Sequence, residues 1–171
     1  MDLFTPVVEQ KLWHYNFQQI YKIANGFECD VLLNWAKGFK DRDGKFVKEF
    51  QTTFNSSFWE LYIFAVLKQL GLSNDFSYAF PDFIVQGKQN FTVEAVIASN
   101  AQNTPAAYEH DTPRPELDRF NKMNMETILR LSSSIVSKKK KFNKHYCDAP
   151  HVKGKPFVLA ISAFDSPHFN S

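Results

Sequence analysis

The sequence predicts an α/β fold: a mixed sheet covered by helices, in the order α, β, β, β, α, β from residue 57, behind a helical N-terminal segment. Three observations predict it. An apolar helical pattern over 57–70 is followed by short extended pieces at 75–80, 82–86 and 91–98. A long helical stretch over about 115–145 then separates these pieces from the apolar run Pro156-Phe157-Val158-Leu159-Ala160-Ile161, a buried strand. Hydrophobic residues make up 44% of the 171, enough to bury a core, and Phe alone appears 18 times, which points to broad aromatic packing between helices and sheet.

The elements follow in order. Over 6–24, Val8, Leu12, Tyr15, Ile20 and Ile23 recur at loosely helical spacing, and 28–38 reads as a second helix ended by Gly38. Asp41-Arg42-Asp43-Gly44 is a turn signal. Phe46, Phe50 and Phe54 recur every four residues, a helical period, with a strand as the alternative. Residues 1–55 are therefore read as an N-terminal helical elaboration and 56–171 as the core. In the core, Ser57 caps a helix whose buried face is Trp59, Tyr62, Ile63, Val66 and Leu70, and Gly71 stops it. Gly87-Lys88-Gln89-Asn90 joins the next two strands as a hairpin. The polar, proline-bearing stretch 99–114 reads as a long loop of the kind that often carries function. In the long helix, Ile128, Leu131, Ile135 and Phe142 mark the expected buried stripe.

Charge and cysteine content bound the function only loosely. The net charge is +2, compatible with nucleic acid without demanding it. Cys29 and Cys147 lie far apart, outside any paired spacing, and the first residues lack the pattern of a secretory signal. No apolar run is long enough to span a membrane. The expectation is a reduced, cytoplasmic protein. His145, Cys147, Asp148 and His151 form one loose group, short of the two paired spacings a structural zinc site needs. There is no phosphate-cradling glycine loop and no dinucleotide fingerprint.

The chemistry concentrates in two carboxylates. Asp82 opens one hairpin strand, after Pro81, and Glu94 lies in the return strand, in Phe91-Thr92-Val93-Glu94-Ala95-Val96-Ile97-Ala98. The turn length places Asp82 opposite residue 94 or 95. Facing residues on one side of a sheet hold their Cβ atoms about 4.5–5.5 Å apart, so two carboxylates there repel unless a cation lies between them. A charged residue centred in an apolar strand likewise calls for a partner. Oxygen ligands of this kind suit Mg²⁺, with Mn²⁺ as the alternative, and one or two carboxylates suffice because water and substrate phosphate complete the shell. The plain reading, a strand-opening Asp and a solvent-facing Glu, competes with this for each residue taken singly.

Pro81-Asp82, then Val93-Glu94-Ala95 closing an apolar strand, within this element order, resembles the signature of the PD-(D/E)xK, or restriction-endonuclease-like, nuclease superfamily over about residues 57–163. The helix beginning Phe58-Trp59-Glu60 resembles the superfamily's first core helix, whose Glu, here Glu60, often joins the metal site. Ser57 and Glu60 also fit a capping box, which needs no catalysis. One position departs from the signature: Val96 stands where a lysine belongs, two residues after Glu94 on the same strand face. In some members the lysine has moved to the following helix. The segment Ser134-Ile135-Val136-Ser137-Lys138 resembles that helix and selects Lys138, against a solvated basic helix end as the alternative.

The resemblance implies a Mg²⁺-dependent endonuclease acting on DNA, with RNA the alternative, in a bacterial restriction or anti-phage setting. Asp82 and Glu94 would be metal ligands and the Ala95 carbonyl a third. Glu60 would be an accessory acid, and Lys138 the cation that activates water and steadies the transition state. Lys139, Lys141, Lys153 and Lys155 would contact nucleic acid. The competing expectation is an inactive nuclease-fold module that binds nucleic acid or a partner protein; a third is a structural domain of a homodimer or larger assembly. The chain ends soon after its last strand and the relatives it resembles are longer, so the core is read as cut short at its C-terminus.

Overall fold

A computed structural model describes residues 1–23, 26–98 and 117–163, the side chains of 23 and 117–119 aside. The stretch 99–114 read as a functional loop and the C-terminal tail lie outside the described residues. A short 3-10 turn at Gln10–Leu12 leads into α1 (Tyr15–Ile23), α2 (Phe27–Trp35), α3 (Phe46–Thr52) and α4 (Phe54–Gln69). Then come β1 (Ser73–Asn74), β2 (Phe83–Gln86), β3 (Phe91–Ile97), α5 (Leu117–Lys141), a π-helical turn at Phe142–Tyr146 and β4 (Phe157–Ser162). The result is a mixed α/β architecture, a four-stranded sheet in the order β1-β2-β3-β4 flanked by helices. β1, β2 and β3 pair antiparallel, whereas β3 and β4 run parallel. A parallel pair needs a crossover, and α5 lies within it.

The four-residue spacing of Phe46, Phe50 and Phe54 is helical, carried from α3 into α4, and it buries all three rings. Phe50 meets Phe54 at 5.0 Å and Phe17 of α1 at 6.0 Å in edge-on geometry, the arrangement that opposed ring quadrupoles favour. One cluster of buried residues runs from Leu3 and Phe17 through Phe50 and Leu61 to Phe83 and Val93, so the N-terminal helices and the sheet share a core. Gln51 is buried within it and fully engaged. Its amide donates to the carbonyls of Leu3 and Thr5 and accepts from the Val7 N–H, tying the N-terminus down.

α4 differs from expectation at both its start and its face. It begins at Phe54 behind Thr53, and Ser57 is buried inside its first turns. Ser57 therefore is not a cap, and the capping-box role of Glu60 falls with it. The buried face is Phe54, Leu61, Phe64 and Leu67, while Tyr62 and Leu70 are exposed. The helix is apolar nearly all round, so periodicity alone cannot choose which stripe meets the core. Its stop is as expected: Gly71 sits at φ 72°, and the Leu72 N–H reaches back to the Leu67 carbonyl.

The stretch 75–80 is not a strand. Asp75 accepts the Ser77 N–H in a side-chain turn, and the chain stays bent until Asp82. Strand pairing on that edge is confined to Ser73 and Asn74. Of the stripe expected on the long helix, Ile128 and Ile135 of α5 are 56% and 46% exposed, whereas Leu131 and Phe142 are half-buried and Phe142 packs on Phe157. Among the described residues no helix is long and apolar enough to cross a membrane.

Candidate active site

Hairpin register sets the first contact. Phe83 pairs with Val93 and Val85 with Phe91, and one further step along this register brings Asp82 opposite Glu94. The Asn90 side chain accepts the Gly87 N–H and closes the turn that fixes this register. β2 begins just after Asp82, so the edge of β3 would lose its ladder partner there. The Asp82 carboxylate takes over, accepting the Ala95 N–H at 2.7 Å. In a strand the N–H and C=O of one residue point to the same edge, so the Ala95 carbonyl faces the Asp82 side as well.

Glu94 is 3% exposed in the middle of its strand. A buried carboxylate without compensation would cost several kcal/mol (about 3–5 by analogy with broken buried pairs), and two lysines meet it. Lys138 Nζ donates to Glu94 Oε1 at 2.7 Å, and Lys141 Nζ lies 3.6 Å from the same oxygen. Both come from the last turn of α5, three residues apart and hence on one helix face. Val96, where the signature has its lysine, is buried.

The other side of Asp82 is built by residues far apart in sequence. Glu60 of α4, Asp82, and Arg42 and Glu49 from the N-terminal segment line a cavity of about 240 Å³. Arg42 Nη1 donates to the carbonyls of Tyr78 at 2.9 Å and Pro81 at 3.4 Å, and Nη2 lies 3.7 Å from Glu60 Oε1. It thus ties the turn before β2 to α4. Burial, reinforced by the negative charge of Asp82, pushes the Glu60 carboxyl up to about 8, with Arg42 opposing. Burial and then Glu94 raise Asp82 to about 6, against the Ala95 hydrogen bond, Arg42 and Lys138. Glu60, Asp82 and Glu94 therefore sense one another electrostatically.

Of the other lysines expected to meet nucleic acid, Lys139 and Lys153 are exposed, while Lys155 Nζ donates to the His151 carbonyl at 2.8 Å. Lys141 lies at the carboxylates themselves. His145, Cys147, Asp148 and His151 do not converge; His151 instead stacks on Tyr78 at 4.0 Å. Among the described residues no three His, Cys, Asp or Glu side chains form a group that could hold a metal. The donor set at the hairpin is two carboxylates and a carbonyl, Asp82, Glu94 and Ala95. A hard cation that keeps much of its water shell fits such a set. The residue that sequence reasoning missed is Arg42, visible there only as part of a turn. Comparison with protein-family models, with curated proteins and with solved structures finds no match to this chain.

Proposed function

We propose that this chain is a metal-dependent endonuclease that hydrolyses DNA phosphodiester bonds on a restriction-endonuclease-like core, in a restriction or anti-phage setting. One observation carries the reading: the Asp82 carboxylate takes the Ala95 N–H, next along the strand from Glu94, while Lys138 reaches Glu94 from α5 at 2.7 Å. This is the constellation expected where the signature lysine has migrated from the strand to the helix. The order α4, β1, β2, β3, α5, β4 supports the same reading.

Asp82, Glu94 and the Ala95 carbonyl would hold Mg²⁺ or Mn²⁺, which when bound supplies Lewis-acid polarisation of a phosphoryl oxygen and an acidified water. The chain's own residues do the rest. Asp82 is oriented by the Ala95 N–H, which holds its carboxylate against β3. Lys138 offers a cation to the phosphate as negative charge grows on it, and its pairing with Glu94 keeps it pre-positioned. Glu60, raised to about 8, is positioned to hold a proton near neutral pH in the adjoining cavity, which suits an accessory acid.

A second reading, a nucleic-acid- or partner-binding module that does not cut, draws on the same ion pair, because Lys138 engages an oxygen that a cation would use. Metal titration with plasmid and linear DNA separates the two. The nuclease cuts in Mg²⁺ or Mn²⁺, and Asp82→Ala lowers the rate by about 100-fold or more. Equal cutting by wild type and Asp82→Ala sinks the proposed site. Binding of DNA with no cutting in either metal establishes the second reading.

A further inference from the structure

Two aromatic side chains stand exposed beside the acidic pair, on the bent segment that leads into Asp82. Tyr78 is 40% exposed and Phe80 37%. Each is backed on one side by another ring: Tyr78 lies on His151 at 4.0 Å and 17°, Phe80 on the buried Tyr146 at 4.7 Å and 14°. The two stacks touch, since Phe80 and His151 are 5.4 Å apart. Their backbone is pinned as well, because Arg42 donates to the Tyr78 carbonyl and His151 Nε2 hydrogen-bonds to the Phe80 carbonyl at 2.8 Å.

The shelf is continuous with the carboxylates. Lys141 Nζ lies 5.0 Å from the Tyr146 ring centroid and 3.6 Å from Glu94. Lys155 holds the His151 carbonyl, and Lys153 is exposed nearby in sequence. Scattered surface aromatics are ordinary, but partly exposed rings stacked on a second layer of rings, with cations alongside, have the make-up of a base-stacking platform. A ring already fixed by its neighbours loses little entropy when a ligand stacks on it.

We propose that Tyr78 and Phe80 form a stacking subsite for an unpaired nucleobase, so that the chain binds single-stranded nucleic acid next to Asp82 and Glu94. The proposal rests on the nuclease reading for its location and is tested apart from cutting. The full chain is titrated, in chelator, into a short fluorescein-labelled single strand and into its duplex. Single strands carrying 2-aminopurine report stacking by loss of emission. Wild type quenches the 2-aminopurine, and Tyr78→Ala and Phe80→Ala each weaken single-strand binding by about 5- to 100-fold. Tyr78→Phe retains it. Phe80 packs on a buried ring, so its variant is checked by thermal melting; the more exposed Tyr78 carries the test if Phe80→Ala does not fold. Single-strand affinity unchanged in Tyr78→Ala, or no quenching by wild type, overturns the shelf and leaves the cutting assay of Asp82→Ala untouched. A wild type that binds neither strand form overturns the shelf, and the nuclease reading then stands or falls on the cutting assay alone.

Discussion

Glu94 and Glu60 are both largely buried carboxylates that interact with Asp82, yet they are compensated in opposite ways. Glu94 has Lys138 at hydrogen-bond distance and Lys141 just beyond, both from one helix end. Among the described residues Glu60 has only Arg42 as a cationic partner, at 3.7 Å, and that guanidinium is already engaged by two backbone carbonyls. On the Glu94 flank the desolvation of the anion is offset by cations. On the Glu60 flank it is relieved by taking up a proton, which is why that carboxyl rises to about 8. A single acidic centre thus presents a charged side and a protonated side, a division suited to holding a cation on one and moving protons on the other.

The comparison breaks most sharply at Lys138. Lys138→Ala removes the close partner of a buried carboxylate, so we expect a stability loss of up to about 3 kcal/mol by urea melting, cushioned by Lys141. DNA cutting falls in parallel by about 100- to 1000-fold. Lys138→Arg restores the melt more than the rate, because the planar fork replaces the charge without the lysine's shape. Cutting unchanged in Lys138→Ala removes this lysine from the chemistry while leaving the carboxylates in place.

Arg42→Met attacks the weaker flank. Arg42 opposes the upward shifts of both Asp82 and Glu60, so its loss raises both. On the nuclease reading, metal binding needs ionised Asp82, and the rate of wild type should rise as pH passes about 6. In Arg42→Met that rise moves to higher pH, and the metal concentration for half-maximal rate increases by about 10- to 100-fold, as for loss of an outer-shell partner. An unmoved pH profile shows that Arg42 holds the turn without tuning the acids.

The smallest effect is on the pH dependence of stability. Glu60 is raised from 4.5 unfolded to about 8 folded, so between those values the folded state binds more protons than the unfolded one. The stability this carboxyl contributes is therefore full below 4.5 and is lost as pH rises toward about 8. Asp82 adds the same sign between 3.8 and about 6. Glu60→Gln flattens the decline above pH 6, read as a smaller spread of melting temperatures across the pH series. A spread identical to wild type refutes the protonated-flank picture.

The hairpin half of the site is legible in the sequence for a simple reason: a period of two, a short Gly-Asn turn and one apolar strand leave little freedom in register. The burial of Glu94 and its need for a partner follow from its apolar neighbours. Lys138 could be singled out only by resemblance, because Lys138 to Lys141 are one run of identical residues and no local pattern ranks them. Arg42 was illegible because its partners lie 36 and 39 residues away, in a segment that reads as strand by composition but bends around Asp75. The face of α4 escaped for a different cause, while α5 does carry an apolar stripe and the structure leaves its Ile128 and Ile135 exposed. Where a helix is apolar on several sides, tertiary packing and not periodicity decides what is covered.

The order of assembly has a consequence for when the chain can act. Asp82 and Glu94 belong to one local hairpin and can meet early, because closing a short loop is fast. Lys138 lies at the end of a helix whose continuation, Phe142, rests on Phe157 at 4.3 Å, at the start of the strand that pairs with β3 across the whole crossover. Such non-local pairing is the slow part of folding. On the proposed reading, the acids come together before the lysine joins them, and a hydrolase that gains its last charged group only on closing a long-range strand pairing is silent while still being made.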